Sequence, residues 1–311
     1  MALSVAFDTD PGIDDALALI LALRSSELRL ALVTTVAGNG PLEMTTRNAV
    51  RVLEYLGAAH VPVAAGAAAP IRRPFHGALG YHGPDALGQL MLPEGRAQIE
   101  LRAACDLLFD FAAAAPGERT LIATGPLTNV ALAFQRHEDM PSLLKEVVIM
   151  GGAFQLTRFG TGNQTPYAEF NIWQDPDAAH LVFSSGVPMT IVGLDVTNDP
   201  SSALDATDLA RLRESNSRAA TLASDLLEYA LRQHDYCFMH DPLALAAVLD
   251  PSLFEFAEGE VDVVTRDDEE RGRTLLAPSA PSSNQRRAAR IARSIDGPRF
   301  KELFLSRVLE A

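Results

Sequence analysis

The stretch VAFDTDPGIDDALAL, residues Val5–Leu19, decides the fold because it contains a strand, a turn and the start of a helix in succession. The apolar run from Leu3 to Phe7 is typical of a buried strand, and Pro11-Gly12 favours a turn. A helical pattern then runs from Asp14 to Arg24. Four aspartates lie at this boundary although like charges at such spacing repel each other: Asp8, Asp10, Asp14 and Asp15.

The composition indicates an ordinary globular protein. The chain has 311 residues, of which 48% are hydrophobic and 21% charged, enough for one large α/β domain. The formal net charge is −14 and the pI about 4.9. Because an acidic surface repels phosphate backbones, nucleic acid is not an expected partner.

Cysteine usage and the N-terminus predict a cytoplasmic location. The two cysteines, Cys105 and Cys237, do not form a disulfide framework in a chain of this length, and we expect them to be core residues. The N-terminus lacks the basic region of a signal peptide. The best apolar run, Ala16 to Leu23, is too short to span a bilayer, so no membrane partner is expected.

Strand and helix patterns alternate over the first two thirds of the chain, which predicts one α/β domain over residues 1–311. Its mostly parallel, Rossmann-like central sheet is flanked by helices. The predicted strands are Leu3–Phe7, Leu30–Val36, Val61–Ala65, Thr120–Ala123, Glu146–Met150 and Met189–Leu194. The predicted helices are Asp14–Arg24, Leu42–Leu56, Ile99–Ala115, Leu127–Arg136 and Pro176–Ser185.

The last third is predicted to be mainly helical from Pro200 to Leu249, with a final helix from Pro298 to Leu309. Between them come strand-like pieces at Val261–Thr265, Arg273–Leu276 and Arg290–Ser294. Residues 266–287 are rich in charge, Ser and Pro, and we predict a hairpin with a mobile loop there.

The aspartate cluster predicts either a cation site or a helix cap. Ligands of open α/β sheets bind beyond the carboxyl ends of the strands, where Asp8 and Asp10 would lie. A helix N-terminus favours one or two carboxylates, but Ca²⁺ accepts six to eight oxygen ligands, and Asp10 and Asp15 could flank one ion. Gly12 at the fifth position and Leu19 at the twelfth exclude an EF-hand loop. Gly12 also disfavours an aspartyl phosphatase motif, and aspartates in place of glycines disfavour a dinucleotide fingerprint.

Polar residues at other predicted strand ends suggest a shared cleft. Asn39, Thr124 and Asp195 each follow a strand. Downstream, His240 and Asp241 open a helix with Pro242 behind them, and the histidine reads either as a cap or as a general acid. The long polar loop 160–179 carries Glu169 and Asn171, whose side chains suit a polyhydroxylated ligand.

Taken in order, seven motifs resemble the nucleoside hydrolases of the inosine-uridine-preferring type. The resemblance covers about residues 3–251 and rests on DTDPGIDDA, VAGN, ATGPLTNVA, VVIMGGAF, GNQTPYAEFNIWQDPDAA, VGLDVT and HDPLALAAVLDP. It implies calcium-dependent hydrolysis of the N-glycosidic bond of ribonucleosides, giving ribose and free base. It also implies a homodimer or homotetramer.

The resemblance implies a role for each matching residue. The calcium ligands would be the carboxylates of Asp10, Asp15 and Asp241 and the carbonyl of Thr124. Asp10 would be the general base, and His240 the acid for the leaving group. The substrate-binding residues would be Asp14, Asn39, His82, Met150, Asn163, Glu169 and Asn171. Apart from the resemblance, we expect Asp8 to support the loop and not to bind the ion directly.

Two alternatives stay open: a hydrolase of a modified N-riboside with the same site, or a non-catalytic nucleoside-binding protein. The segment before His240 lacks the glycine-rich loop common in the family. The roles of Tyr229, Gln233, His234 and Tyr236 are therefore open, and so is the choice between purines and pyrimidines.

Overall fold

The computed structural model describes residues 2–95, 99–278 and 288–310. The strands are β1 (Leu3–Thr9), β2 (Leu28–Thr35), β3 (Val63–Ala65), β4 (Ile99–Glu100), β5 (Thr120–Ala123), β6 (Glu146–Met150), β7 (Met189–Val192), β8 (Phe254–Val263), β9 (Thr274–Ala277) and β10 (Ala289–Ile295). The helices are α1 (Ile13–Arg24), α2 (Leu42–Tyr55), α3 (Leu79–His82), α4 (Ala104–Ala113), α5 (Thr128–Arg136), α6 (Met140–Leu143), α7 (Phe170–Gln174), α8 (Pro176–Ser184), α9 (Leu194–Thr197), α10 (Ala206–Arg213), α11 (Arg218–Leu231), α12 (His240–Leu249) and α13 (Gly297–Leu309).

All the strands of the described part of the chain belong to one sheet, in the order β4-β3-β2-β1-β5-β6-β7-β10-β8-β9. Neighbouring strands are parallel from β4 to β10, whereas β8 and β9 are antiparallel additions at one edge. The predicted fold class is therefore confirmed. The carboxyl ends of the parallel strands meet along one edge, which is where such sheets bind ligands.

The apolar core lies on both faces of the sheet. One cluster contains α1, α11, α12 and α13, and the other contains α4, α5 and α8. Helix α1 is buried from Ile13 to Ala22, as expected for a helix that is apolar on every side. Because α1 is enclosed by other helices, its N-terminal aspartates are also held inside the protein.

Several element boundaries differ from the sequence predictions, and three of the differences have a visible structural cause. Ile99–Glu100 pairs with β3 as a short edge strand, and the helix predicted from Ile99 begins only at Ala104. Strand β7 ends at Val192, because the Leu194 N–H bonds to the Gly152 carbonyl and a helical turn starts there. Strand β8 begins at Phe254, and its pairing with β10 extends it beyond the predicted piece.

Part of the predicted hairpin 266–287 lies outside the described residues, which stop at 278 and resume at 288. In the described part, Thr274–Ala277 forms β9 and pairs antiparallel with β8. The hairpin over 266–287 and the mobility of its loop stay predictions. None of the helices formed by the described residues is both long and apolar enough to cross a bilayer.

Candidate active site

A cavity of about 330 Å³ opens at the carboxyl edge of the sheet. Most of the predicted site residues line it: Asp14, Asn39, His82, Thr124, Met150, Asn163, Glu169, Asn171, His240 and Asp241. Asp10 and Asp15 are buried beside this group without lining the cavity. The fold therefore gathers the predicted residues from the ends of several strands and from the first turns of α1, α7 and α12.

Three carboxylates converge at this cavity, two from its lining and one, that of Asp15, from beside it. Asp14, Asp15 and Asp241 each offer an oxygen, and these oxygens lie within 4.8 Å of one another. Asp14 and Asp15 belong to the first turn of α1, and Asp241 to the first turn of α12. The positive ends of two helix dipoles thus face the cluster and partly offset its negative charge.

Asp15 is held by several hydrogen bonds. Its Oδ1 accepts from the Thr9 hydroxyl and from Thr124 Oγ1 at 3.2 Å. Its Oδ2 accepts from the Gly12 N–H at 2.9 Å and from Asn39 Nδ2 at 3.1 Å. Asp15 therefore also caps α1. Of the two interpretations of the aspartate cluster, a helix cap and a cation site, this contact corresponds to the helix cap.

Asp10 has one engaged oxygen and one free oxygen. Oδ2 accepts from the Asn39 N–H at 2.6 Å, whereas the buried Oδ1 has no hydrogen-bond partner. The backbone at Gly38 passes so close that a methyl group there would lie 2.0 Å from Asp10 Oδ2. Glycine at position 38 thus permits the contact that fixes this carboxylate.

The electrostatics of the cluster favour a bound cation. Burial raises the pKa of Asp10, Asp14 and Asp241 well above the usual range, and the neighbouring carboxylates raise it further. Asp14 Oδ1, like Asp10 Oδ1, is buried without a hydrogen-bond partner. No lysine or arginine is among the described residues that line the cavity. Buried carboxylate oxygens with neither donor nor cationic side chain fit a hard divalent ion.

Asp8 lies behind this cluster and contacts other parts of the scaffold. Its Oδ1 accepts from the Thr34 hydroxyl and from Asn129 Nδ2 at 2.7 Å. Burial raises the pKa of Asp8 to about 7, against the lowering effect of these two bonds. The Asp8 carbonyl also accepts from the Thr124 N–H at 2.8 Å, which aligns the end of β5 with that of β1.

Two histidines flank the cavity: His82 is buried and His240 is half-buried. His82 Nδ1 accepts from the Ile13 N–H at 3.1 Å, and His240 Nδ1 lies 2.8 Å from Thr197 Oγ1. Burial lowers the pKa of each imidazole to about 4. In both rings Nδ1 is engaged, so Nε2 is the nitrogen left for a ligand.

Glu169 and Asn171 are rigidly held at the start of α7. Glu169 accepts from the N–H groups of Asn171 at 2.8 Å and of Ile172 and Gly152 at 3.1 Å. Burial nevertheless raises the pKa of Glu169. Asn171 Nδ2 donates to the Thr124 carbonyl at 2.7 Å. These bonds fix a carboxylate and an amide beside the acidic cluster.

The structure also corrects and extends the list of candidate residues. Asp195 does not line the cavity; it accepts from the backbone N–H groups of Phe154, Leu156 and Thr157 and so shapes a loop. Six lining residues were not predicted: Ala78, Tyr81, Gln164, Phe170, Asn198 and Phe238. Tyr81, Gln164 and Phe170 each adjoin a predicted residue in the sequence, and Phe238 lies two positions before His240, but that proximity does not reveal which side chains face a cavity.

The segment before His240 forms a separate cavity beside the first. Gln233, His234 and Tyr236 line this second cavity, and Tyr81 and Phe238 line both. Tyr81 stacks on His234 at 5.1 Å and meets His82 edge-on at 4.9 Å. Gln233, His234 and Tyr236, whose roles the sequence left open, therefore belong to the second cavity, and neither they nor Tyr229 line the first.

A pocket of carboxylates, amides and two histidines at the carboxyl edge of an open α/β sheet defines an enzyme site suited to a polyhydroxylated sugar. The sequence profile of the family described as "Inosine-uridine preferring nucleoside hydrolase" matches residues 5–302, and the chain belongs to this family. The predicted resemblance and the predicted class of enzyme, a nucleoside hydrolase, are confirmed.

Relatives of known name match the chain over nearly its whole length. The pyrimidine-specific ribonucleoside hydrolase RihA of Citrobacter koseri is 38% identical, over 99% of this chain and 98% of its own. Among solved structures, the plant nucleoside hydrolase PpNRh1 is 31% identical, with a TM-score of 0.91 and 100% coverage of both chains. The purine-preferring ribonucleoside hydrolase from Gardnerella vaginalis is 29% identical, with a TM-score of 0.90 and 98% coverage of both chains.

Proposed function

We propose that this chain is a calcium-dependent hydrolase of pyrimidine ribonucleosides that releases ribose and the free base. The observation that carries this proposal is the buried carboxylate cluster with unpaired oxygens, placed directly beside Glu169 and Asn171. Acidic oxygens without a cationic partner suit calcium, and fixed carboxylate and amide groups suit ribose hydroxyls.

The residues that would hold calcium are Asp10, Asp15 and Asp241, with the Thr124 carbonyl. We assign Asp14 to ribose binding. Its carboxylate belongs to the convergent cluster, so it would lie beside the ion and within reach of the sugar. When bound, calcium supplies positive charge that lowers the pKa of a water molecule and orients it.

The ribose would be bound by side chains that are already ordered. Glu169 and Asn171 are fixed by backbone and carbonyl hydrogen bonds, and Asn163 Oδ1 accepts from the Phe170 N–H at 2.9 Å. Asn39 and Met150 line the same cavity. Because these groups need little reordering, binding costs less conformational entropy.

Breaking an N-glycosidic bond develops positive charge on the sugar ring, as in O-glycoside hydrolysis. The buried carboxylates of this cavity would stabilise that charge, and more strongly than carboxylates in bulk water would. Asp10 Oδ1, free of other partners, accepts the proton of the attacking water. His240, held through Nδ1 by Thr197, offers its other ring nitrogen to the departing base.

The preference for pyrimidines is supported by the relatives. The Citrobacter koseri enzyme that is 38% identical is described as pyrimidine-specific, whereas the Gardnerella vaginalis enzyme described as purine-preferring is 29% identical. We propose the pyrimidine ribonucleosides uridine and cytidine as substrates. A cytoplasmic location and a homodimer or homotetramer belong to the same proposal, and light scattering of the purified protein checks the assembly.

Release of reducing sugar tests the function directly. Purified protein is incubated with uridine, cytidine, inosine and adenosine, each with calcium and after exhaustive chelation. We expect uridine and cytidine to be the best substrates, with activity lost on chelation and restored by calcium. Full activity after chelation would refute the metal requirement, and faster release from inosine would refute the pyrimidine preference. Nucleoside binding without release of ribose would indicate a binding protein.

A further inference from the structure

The turn between β8 and β9 packs against the helix that carries the ribose-binding residues. The turn closes on itself through the Gly272 N–H to the Val264 carbonyl and the Val264 N–H to the Arg273 carbonyl, both at 2.9 Å. Beyond it, Thr274 Oγ1 donates to the Ala153 carbonyl at 2.9 Å. The turn is thus tied to the loop that follows β6, beside the cavity.

Arg271 makes the main contact between this turn and α7. Its side chain is almost fully buried, and the guanidinium carbon lies 4.1 Å from the centre of the Trp173 ring. Nε donates to the Trp173 carbonyl at 3.0 Å, and Nη2 donates to the Gln174 carbonyl at 3.4 Å. The last carbonyls of a helix lack partners within the helix, and a cation there also complements the helix dipole.

The backbone of the turn touches the same helix. Gly272 has a φ of +77°, and a methyl group on it would lie 2.6 Å from Trp173 Cα. Glycine is therefore required at this position by both conformation and space. The turn and the end of α7 form one packed unit, and Arg271 fills its centre.

Helix α7 is only five residues long, so its two ends move together. At about 1.5 Å per residue, its last carbonyls are within about 8 Å of its first N–H groups. Those first groups, the N–H of Asn171 and of Ile172, hold the Glu169 carboxylate. Any shift at Trp173 and Gln174 is therefore passed to the carboxylate and amide in the cavity.

We propose that Arg271 is a positioning residue for the ribose subsite. It clamps the C-terminal end of α7, so that Glu169 and Asn171 at the other end keep their places in the cavity. This inference rests on the proposed role of those two residues in binding ribose. It also gives the turn preceding β9 a function in substrate binding.

Three variants test the proposal. Arg271→Met keeps the aliphatic bulk and removes the donors, and Arg271→Lys keeps the charge and one donating group. Arg266→Met is the matched control, because Arg266 lies in the same turn but is exposed, and among the described residues it pairs with Asp268 and Glu270. Each variant is measured for kcat and KM with uridine and for inhibition by free D-ribose.

For Arg271→Met we expect KM for uridine and the inhibition constant of ribose to rise together, by about tenfold, with kcat changed less than about threefold. Arg271→Lys should lie between Arg271→Met and the wild type, and Arg266→Met should match the wild type. A change in stability alone would not shift KM for uridine and the inhibition constant of ribose in parallel. If Arg271→Met does not fold, the intermediate values expected for Arg271→Lys are the test.

Trp173 provides an independent readout because it is the only tryptophan in the sequence. Its emission should change in Arg271→Met and stay unchanged in Arg266→Met, since Arg271 stacks on the ring and Arg266 pairs with Asp268 and Glu270 instead. Altered emission together with wild-type KM and ribose inhibition would overturn the proposal. Wild-type protein without activity on any ribonucleoside would instead overturn the proposed function, which keeps the two failures distinct.

Discussion

At the residue scale, Asp10 is fixed by the backbone of the loop that follows β2. Oδ2 bonds to the Asn39 N–H, and the close approach of Gly38 leaves room only for that arrangement. Oδ1 is left buried and free. A carboxylate held by one oxygen and open at the other can accept a proton without reorganising its surroundings, which is the requirement for an efficient general base.

Asp10→Asn should therefore lower kcat by about 10²- to 10⁴-fold, because the amide cannot accept the proton of water. Ribose release from uridine measures the effect. Asp139→Asn, which changes a carboxylate outside the cavity, is the control and should keep wild-type kcat. Activity of Asp10→Asn within about threefold of the wild type would exclude Asp10 as the base.

His240→Ala should slow the release of uracil by about 10²-fold, because the departing base loses its hydrogen bond or proton. A riboside of p-nitrophenol, which leaves without a proton, should be affected far less. The ratio of the two rates in the variant and the wild type is the measurement. Equal slowing of both substrates would show that His240 does not act on the leaving group.

At the element scale, Asn129 shows how one helix aligns three segments beneath the site. Its Nδ2 donates to Asp8 Oδ1 at 2.7 Å and to the Thr35 carbonyl at 3.0 Å. Its Oδ1 accepts from the Ala67 N–H at 2.8 Å. Helix α5 thereby connects β1, β2 and the segment after β3. These bonds hold the carboxyl ends of the strands in fixed positions relative to one another.

Asn129→Ala should lower the free energy of unfolding by about 2–4 kcal/mol, because it leaves buried donors and acceptors without partners. Urea denaturation followed by circular dichroism measures this. Asn216→Ala, at an exposed position, should change the value by less than about 0.5 kcal/mol. A similarly small effect for Asn129→Ala would mean that its three bonds contribute little to stability.

Most elements could be predicted because their local patterns agree with their place in the fold. Apolar runs such as Thr120–Ala123 and Glu146–Met150 were predicted as strands and are strands in the structure. Parallel strands are covered on both faces, so their sequences are apolar almost throughout. Ile99–Glu100 was wrongly predicted as helix, because pairing with β3 overrides a weak helical preference. Such pairing involves residues distant in sequence and leaves no local signal.

At the scale of the whole molecule, the fold concentrates negative charge in one cavity. Asp14 and Asp15 come from the beginning of the chain and Asp241 from its last third, yet their oxygens converge within 4.8 Å. Burial and mutual repulsion raise the pKa values of Asp14 and Asp241. The ionised cluster therefore lowers the stability of the folded protein unless a cation neutralises it. Folding and metal binding should therefore be coupled.

Calcium should raise the melting temperature of chelated protein in a concentration-dependent way, equivalent to about 2.7 kcal/mol at one hundred times Kd. Differential scanning fluorimetry measures the shift, and magnesium should give a smaller one because it tolerates irregular oxygen cages poorly. Asp241→Asn should lose the calcium-dependent shift, and Asp250→Asn, at the other end of α12, should retain it. No shift in the wild type would contradict the proposed coupling.

The sequence by itself determined the fold class, the family and most of the residues that line the cavity. It could do so because strand ends and helix starts are local properties of the chain, and because the ordered motifs resemble a known family, which implied further site residues such as His82, Met150 and Asn163. Only the tertiary structure decided that Asp14, Asp15 and Asp241 form the tight cluster, that Tyr81 and Phe238 wall the cavity, and that Arg271 supports α7. These are contacts between distant segments, and they depend on packing distances that no local pattern encodes.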